Sequence, residues 1–280
     1  MDLRSWPAKM GVAPGDRILL MADVTRLAWS FRKANARFKP EDLIDAFLAL
    51  LGPEGTLIVP TFNFDLQPGE NFDLRRTPTI TGALGNAALA HHAFARTGNA
   101  LHSFAVAGAL RSEFLAIDPT SSFGLRSPFA LLNDHAFRVI AIDMPLEPAF
   151  SYVHHVEERM NVWYRKLKRI TIRYTERDGR TLDREFELFA KRPGFVNDFK
   201  ELEPLLGDAL AQRTIDGSNV LIVDLRKAHP VIENDIRNNR ARRIVRFRWK
   251  WWLRDQLRPL LKKAAPSRSA KLTQDAAGTH

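Results

Sequence analysis

Two short apolar runs, separated by one helical pattern, constrain the fold of this chain more than any other feature. The segments RILLMA (17–22) and TLIVP (56–60) have the length and composition of buried strands. Between them, Pro-Glu-Asp at 40–42 opens a run with apolar residues at helical spacing, and Gly52 ends it. A strand, a helix and a second strand at this pitch predict an α/β architecture.

The rest of the chain extends this pattern. Three more apolar runs predict strands, with no strand expected after the third: FAVAG (104–108), FRVIAID (137–143) and NVLIVDL (219–225). Alternating apolar and polar residues over 168–175 and 184–190 flank Asp178-Gly179-Arg180 and predict a β-hairpin. We therefore predict an α/β fold: a three-layer mixed sheet flanked by helices, with a small antiparallel hairpin insertion and a basic C-terminal extension.

A polar stretch follows the second strand. Residues 61–76 contain Pro and Gly and predict a loop that is long for a compact domain, and such loops often carry function. Thr77-Pro78-Thr79 then predicts the cap of a helix that extends to about His92.

The net charge of +10 is confined to the C-terminal part of the 280 residues. Residues 237–263 hold 11 Lys or Arg and one acid, whereas residues 1–236 hold 29 basic and 30 acidic residues. We divide the chain into an α/β domain (1–236), a basic amphipathic segment (237–263) and a disordered tail (264–280). The nearly neutral body gives no reason to expect nucleic-acid binding.

Several classes of protein are excluded by composition. No apolar run approaches 18 residues and the N-terminus lacks the apolar core of a signal peptide, so a cytoplasmic protein is expected. The absence of cysteine excludes a disulfide framework, a thiolate metal site and a cysteine nucleophile.

Cations and tryptophans are interleaved in the segment 242–263. Apolar residues at 245, 249, 252, 253 and 257 form a helical stripe, which Pro259 is expected to bend or end. A basic amphipathic helix with Trp on its apolar side fits a peripheral anchor at an anionic membrane, here the inner face of the cell membrane. Packing on the body or on a second copy is the alternative, and oligomerisation stays open. No motif supports nucleic-acid binding.

The chemistry is expected around 148–165, PAFSYVHHVEERMNVWYR. On a helix, His154 and Glu157 share a face, and His155 and Glu158 form a second pair about 100° around the helix. A carboxylate beside an imidazole fixes its tautomer and raises its basicity, as a general base requires. The alternative is an ion pair on the helix surface. Neither pair has the spacing of a zinc motif, and we predict no metal site.

A second candidate is His102-Ser103, which precedes the strand FAVAG. A histidine at the edge of an α/β sheet can face a ligand crevice, or it can be a structural residue with its hydrogen bonds satisfied. No Gly-x-Ser-x-Gly elbow, Gly-x-Gly-x-x-Gly fingerprint or phosphate-binding P-loop is present, so a serine hydrolase and the usual nucleotide folds lack support.

Several segments, taken in order, resemble the aminoglycoside 3-N-acetyltransferase family over roughly residues 10–235. The matching segments are GDRILL (15–20), LGPEGTLIVPTFNF (51–64), TPTITGAL (77–84), HSFAVAG (102–108), FGLRSPFALL (123–132), SYVHHVEE (151–158) and VWYRKLK (162–168). The resemblance implies direct acyl transfer from acetyl-CoA to a sugar amine, without a covalent cysteine intermediate. It also implies that residues 1–236 form an acyltransferase-like domain.

The resemblance assigns roles to residues of this sequence. His154 would be the base on the acceptor amine, Glu157 its orienting carboxylate, and His102 a further member of the catalytic site. The expected donor-binding residues are Arg26, Arg32, Lys33, Thr77, Thr79 and Ser127. The expected acceptor-binding residues are Ser103, Asp65, Glu158 and Tyr164. For Arg32 and Lys33, a solvated loop is an equal alternative.

This sequence departs from the family at the turn that normally helps to hold CoA. Met21, Ala22 and Asp23 stand where family members carry His-Ser-Ser. Either the donor or acceptor has changed, or the scaffold has lost the reaction, and we favour the first because a His–Glu pair is retained.

These features lead to one prediction of function and two rivals. We expect CoA-dependent N-acyl transfer, with acetyl-CoA as co-substrate, to an amino sugar of surface-glycan biosynthesis, since a membrane-bound enzyme suits such acceptors. The first rival is an aminoglycoside acetyltransferase that confers antibiotic resistance, which would need more carboxylates than the matched loops contain. The second is an inactive scaffold that acts through its basic, membrane-binding segment.

Overall fold

The protein folds into three layers around a mixed sheet. The structure is a computed structural model, which describes residues 2–264 and the side chains of residues 2–257. Within the described residues, the α-helices are α1 (Trp6–Lys9), α2 (Val24–Lys33), α3 (Pro40–Leu51), α4 (Ala83–Ala90), α5 (Arg111–Ala116), α6 (Pro128–Asp134), α7 (Leu146–Ala149), α8 (Val153–Arg159), α9 (Leu225–Asn239) and α10 (Trp249–Ala264). Two 3₁₀-helices span Leu3–Ser5 and Glu203–Ala209.

Twelve strands form three sheets within the described residues. They are β1 (Arg17–Ala22), β2 (Thr56–Phe62), β3 (Asn71–Asp73), β4 (Ala95–Arg96), β5 (His102–Gly108), β6 (Arg138–Ile142), β7 (Arg165–Thr175), β8 (Thr181–Lys191), β9 (Phe195–Asn197), β10 (Leu210–Ile215), β11 (Ser218–Asp224) and β12 (Val245–Phe247). The main sheet has the order β10-β11-β6-β1-β2-β5-β4. Its central strands β6, β1 and β2 are parallel, and the strands on both sides of them pair antiparallel.

Alternation along the central strands creates the two cores. Leu19 and Ile58 point to one face of the sheet and pack with α6, α8 and α9. Ile18 and Leu57 point to the other face and pack with α1, α3 and α4. Because successive side chains of a strand point to opposite faces, a strand that is apolar at every position must be covered on both sides. The predicted three-layer α/β architecture is confirmed.

The predicted hairpin is present and longer than expected. Strands β7 and β8 pair over eleven residues each, from Arg165–Lys191 to Thr175–Thr181. Gly179 in the connecting turn has φ +92°, a conformation that side chains with a Cβ rarely adopt. Strand β3, inside the stretch predicted as a loop, pairs parallel with β7 and buries Phe72 beneath this small sheet.

One predicted helix boundary is wrong, and one strand was not predicted. The helix expected from Thr77 to about His92 begins only at Ala83, because Thr79 turns inward and bonds to the Phe62 carbonyl. The chain also contains a strand after NVLIVDL: β12 pairs antiparallel with β9.

The basic segment begins inside the body of the protein. Helix α9 continues to Asn239, past the expected boundary at residue 236, and Ile244 and Val245 are buried. Val245 belongs to β12, so it is not part of the predicted helical stripe. Helix α10 carries the other stripe residues and continues through Pro259. The tail expected to be disordered, 264–280, lies outside the described residues except for residue 264.

Among residues 2–264, no helix is both long and apolar enough to cross a membrane.

Candidate active site

A buried histidine–carboxylate pair occupies helix α8. Nδ1 of His154 lies 2.7 Å from Oε2 of Glu157, one helical turn along the chain. The Glu157 side chain is fully buried, whereas 16% of the His154 side chain is exposed. The alternative of a surface ion pair is therefore wrong, because a charged carboxylate is buried only at a large cost in solvation unless it is paired.

The carboxylate contact bears on where the imidazole carries its proton. An ionised carboxylate only accepts hydrogen bonds, so a bond to Glu157 requires the proton on Nδ1 and leaves Nε2 with a free lone pair. A general base requires this tautomer. The Arg165 guanidinium only donates, and its Nη2 lies 2.8 Å from the same Nδ1, where a hydrogen bond would require the other tautomer.

Two residues at the start of the hairpin hold the carboxylate. The Tyr164 hydroxyl donates to Oε1 of Glu157 at 2.7 Å. The Arg165 guanidinium contacts the other oxygen, with Nε 2.7 Å from Oε2, and its Nη2 lies 2.8 Å from Nδ1 of His154. Arg165 also donates from Nη1 to the Phe189 carbonyl at 2.9 Å. Four side chains, from α8, the residue before β7 and the first residue of β7, thus form one buried network.

The network keeps both partners in the required charge state. Burial disfavours the Glu157 anion, but Arg165, His154 and the Tyr164 hydrogen bond outweigh it and hold the pKa of Glu157 below its usual value. Burial and then the positive charge of Arg165 lower the pKa of His154 to about 4, against the smaller opposing effect of Glu157. His154 is therefore neutral near pH 7. Burial also raises the pKa of Tyr164, which keeps its hydroxyl a donor.

His102 lies beside this network, at the start of β5. The Phe123 ring contacts both histidines, with centroid distances of 4.5 Å to His102 and 5.3 Å to His154. Phe62 and Phe64 contact the His102 ring at 5.0 and 6.2 Å. Burial, followed by the charges of His154 and Arg165, lowers the pKa of His102 to about 3, and its Nδ1 is buried without a partner among the described residues.

An apolar cleft opens next to the histidines, where β1, β2 and β6 end. Its volume is about 230 Å³, and it is lined by Leu20, Met21, Ala22, Val59, Pro60, Phe62, Phe64, Ile80, Thr81, Leu84, Gly85, Met144, Pro148 and Ser151. Phe62 and Phe64 are the same rings that contact His102, and Ser151 immediately precedes α8. Ligands of α/β sheets bind in this type of crevice, beyond the carboxyl ends of parallel strands. None of the lining residues is charged.

One side of the cleft meets the N-terminus of helix α2. Asp23 caps this helix, its Oδ1 accepting from the Thr25 N–H at 3.0 Å. The helix carries the predicted donor residues Arg26, Arg32 and Lys33, all exposed. Lys33 lies over the Trp29 ring at 4.9 Å, so it is not simply a solvated loop residue.

A family model described as aminoglycoside 3-N-acetyltransferase matches residues 30–234. The chain belongs to this family. The residues of the buried network, His154 to Arg165, fall within the matched range.

Solved structures agree with this assignment at the level of the fold. AAC-IIIb in binary complex with CoASH is 23% identical, with a TM-score of 0.71 over 85% of this chain and 95% of that chain. The aminoglycoside acetyltransferase AAC(3)-Xa is 19% identical, with a TM-score of 0.70 over 84% and 91%. AAC-VIa bound to sisomicin is 16% identical, with a TM-score of 0.68 over 85% and 96%. A comparison with curated protein sequences gave no match.

Membership of the aminoglycoside 3-N-acetyltransferase family confirms the predicted class, a CoA-dependent N-acyltransferase. Acetyl-CoA is the co-substrate that fits this family, as the sequence resemblance implied. In the described part of the chain, no group of three or more His, Asp or Glu side chains is placed to hold a metal ion.

Four of the predicted ligand-binding residues are engaged inside the protein. Thr77 accepts from the Asp73 N–H, and Thr79 donates to the Phe62 carbonyl, so neither stands at the start of α4. Ser127 donates to the Gly124 carbonyl at 2.6 Å, and Ser103 bonds to Thr61 and Arg96. The prediction that Thr77 and Thr79 cap a helix N-terminus is therefore wrong.

The remaining predicted residues are more dispersed. His155 donates from Nδ1 to the Phe123 carbonyl at 2.6 Å, and Glu158 accepts from Ser121 at 2.6 Å, so the predicted His155–Glu158 pair does not form. Glu158 lines a separate cavity of about 410 Å³ with Ser121 and Arg126. Asp65 is exposed on the loop before β3.

Sequence reasoning assigned no role to three residues that complete the site. Arg165 lies eight residues beyond Glu157 and on a strand, so no helical spacing could pair them. Phe123 joins the two histidines from a loop, and Thr81 faces the cleft instead of Thr79. The stretch 148–165 and the VWYRKLK segment of the family resemblance both include Arg165, but neither assigned it a role.

Proposed function

We propose that this protein transfers an acetyl group from acetyl-CoA to the amino group of an amino sugar, with His154 as the general base. The observation that carries the proposal is the 2.7 Å contact between His154 and the fully buried Glu157, beside an apolar cleft. A neutral imidazole with Nε2 unprotonated can accept a proton from the attacking nitrogen. The C–N amide bond forms, the C–S thioester bond breaks, and the thiol of CoA leaves.

Each member of the network has a distinct role in this proposal. Glu157 holds the Nδ1 proton and stabilises the imidazolium that forms as His154 accepts a proton. Tyr164 and Arg165 are positioning residues, since they act through Glu157. His102 is neutral and offers a ring N–H to the carbonyl oxygen on which negative charge develops.

The residues around the cleft fit the donor in two respects and oppose it in one. The apolar lining suits the acyl end of acetyl-CoA, and the exposed Arg26, Arg32 and Lys33 suit its phosphates. The Asp23 carboxylate occupies the helix N-terminus that would otherwise attract a phosphate. We therefore assign the phosphates to the cations of α2 and not to its N-terminal N–H groups.

The acceptor is better matched by a sugar with few amino groups than by a polycationic drug. The sisomicin complex of AAC-VIa makes an aminoglycoside the competing acceptor. Yet none of the described residues lining the cleft is acidic, Glu158 lies in another cavity, and Asp65, which follows the lining residue Phe64, is exposed and does not itself line the cleft. A polycation needs carboxylates to replace its lost hydration. We favour an endogenous amino sugar, such as a glycan precursor.

The experiment is a transfer assay that follows the release of the CoA thiol from acetyl-CoA. The acceptors are a monoamino sugar and sisomicin, and the variants are His154→Ala and His135→Ala. His135 is a matched control, because it forms a histidine–carboxylate pair with Glu113 outside the site, at 2.9 Å. We expect His154→Ala to lower kcat about 100-fold or more, the usual contribution of a general base. Undiminished transfer by His154→Ala would overturn the proposal.

A further inference from the structure

The C-terminal helix presents an apolar and basic surface that the acetyl-transfer site does not use. Six large apolar side chains of β12 and α10 have exposed fractions between 43% and 63%: Phe247, Trp249, Trp251, Trp252, Leu253 and Leu257. Single exposed apolar residues are common, but six within the eleven residues 247–257 indicate an interaction surface. We call these six residues the tryptophan patch.

The base of the helix is held firmly against the body. Strand β12 pairs with β9, and the Phe247 ring packs on Phe195 with a centroid distance of 5.2 Å. The Gly194 N–H donates to the Asp255 carboxylate at 3.2 Å. A Cβ at position 194 would lie 2.6 Å from the Phe247 ring and 2.7 Å from Trp252, so only glycine allows this approach. The patch is therefore presented by a fixed element.

Part of the patch forms a single stripe along α10. Trp249, Leu253 and Leu257 are spaced four residues apart and form one row along the helix. Lys250 and Arg254 form a neighbouring row, each about 100° around the helix from the row residue that precedes it. Arg254 stacks over the Trp251 ring at 3.9 Å from its centroid. An apolar stripe bordered by cations and indoles is the pattern of helices that lie in a membrane interface.

The positive charge around the tryptophan patch favours an anionic partner. Residues 240–257 hold seven Arg or Lys side chains and one acid, Asp255, whose carboxylate is bound to Gly194. Arg246 is paired with Asp198 at 2.8 Å, while Lys250 is exposed, with its Nζ 5.9 Å from the centroid of the Trp249 ring. A second copy would bring the same positive charge to the interface. An anionic bilayer offers both negative charge and an apolar interior.

The patch is linked through Phe195 to Trp163, next to a residue of the active site. Trp163 is 54% exposed, and its ring contacts Phe195 at 5.1 Å, the same ring on which Phe247 packs. Trp163 immediately precedes Tyr164, the hydrogen-bond donor to Glu157. A membrane at the patch would therefore lie on the side of the molecule where α8 meets the hairpin.

We propose that the tryptophan patch docks this protein on an anionic lipid bilayer, with α10 lying in the plane of the interface. Trp249, Leu253 and Leu257 enter the acyl boundary, and Lys250 and Arg254 meet the lipid phosphates. Docking is independent of acetyl transfer and does not require the proposed function to hold.

The test is co-sedimentation of the full chain with vesicles of phosphatidylcholine alone and with 30 mol% phosphatidylglycerol, a composition chosen to be strongly anionic, at about the ionic strength of the cell. We expect binding to the anionic vesicles and a blue shift of the tryptophan emission. The triple variant Trp249→Ala, Leu253→Ala, Leu257→Ala should bind about 100-fold more weakly, because it removes most of the buried apolar area. Lys250→Glu should weaken binding about 10-fold or more.

Matched controls separate docking from unfolding. Leu125→Ala, at an exposed apolar residue outside the patch, and Lys168→Glu, at an exposed cation of β7, should bind like the wild type. Acetyl transfer without vesicles reports folding of every variant if the proposed function holds, and circular dichroism reports it otherwise. The proposal would be overturned if the wild type did not bind anionic vesicles, or if the triple variant bound them as tightly. It would also be overturned if the patch mediated self-association or DNA binding but no vesicle binding.

Discussion

The Tyr164 hydroxyl donates to Oε1 of Glu157 at 2.7 Å, while His154 is bound to the opposite oxygen of the same carboxylate. The tyrosine thus fixes the rotation of the carboxylate, and the carboxylate fixes the imidazole. The sequence predicted that Tyr164 binds the acceptor, but its side chain is fully buried, so we expect it to act on the base through Glu157.

We expect Tyr164→Phe to lower kcat about 10-fold and the free energy of unfolding by about 1–3 kcal/mol, since it leaves a buried carboxylate oxygen without its donor. Tyr174→Phe is the matched control, because Tyr174 is equally buried and donates to the Gly98 carbonyl at 2.9 Å, away from the histidines. Steady-state kinetics and urea unfolding check both variants. If the two lose stability and kcat alike, Tyr164 has no positioning role.

The pKa of His154 should depend on the residues around it. Burial and Arg165 lower its pKa to about 4, so its ring resonances in NMR should titrate well below pH 6.5. Arg165→Gln removes the positive charge and should raise this pKa, while burial keeps it below the usual value. Arg159 is a cation of the same helix that does not contact His154, so Arg159→Gln should leave the pKa of His154 unchanged. Titration of wild-type His154 near pH 6.5 would contradict the described network.

Stability should fall in mild acid because of buried neutral histidines. His155 is buried, donates to the Phe123 carbonyl, and has a pKa lowered to about 4, chiefly by burial. Between about pH 4 and the unfolded value near 6.5, the unfolded chain binds a proton that the folded chain does not, so the free energy of unfolding decreases as pH falls.

The variant His155→Gln keeps an N–H donor for Phe123 and loses the titration. We expect it to flatten the pH dependence of unfolding in this window by up to about 1.4 kcal/mol per pH unit. Urea unfolding at several pH values between 4 and 7 measures the slope. An unchanged slope would show that His155 does not contribute to it.

The Asp23 carboxylate should weaken donor binding. Asp23→Ser keeps a side chain that caps helices but removes the negative charge at the end of α2, so CoA should bind up to about five-fold more tightly. Asp224→Ser is the matched control, because Asp224 caps α9 by accepting from the Lys227 N–H. Isothermal titration calorimetry with CoA distinguishes them. Weaker or unchanged CoA binding by Asp23→Ser would show that the phosphates lie away from this helix end.

The central strands and helix α3 could be predicted because their signals are local. Every residue of TLIVP is buried, as its continuous apolar run requires, and Gly52 ends α3 with φ +65°. The start of α4 could not be predicted, because Thr79 has two competing uses: its hydroxyl can cap a helix or bond to a neighbouring strand. The carboxyl end of β2 provides the Phe62 carbonyl, and only the fold brings it within reach.

The sequence by itself determined the layered α/β architecture, the i,i+3 pairing of His154 with Glu157, and the separation of a neutral body from a basic C-terminal segment. These follow from periodicity and composition, which act over a few residues. Only the tertiary structure decided that Glu157 is fully buried, that Arg165 and Tyr164 hold it, and that Phe123 joins His154 to His102. Those contacts connect a helix, the start of a strand and a loop, whose relative positions no single periodicity fixes. Their energies depend on burial, which local sequence does not encode.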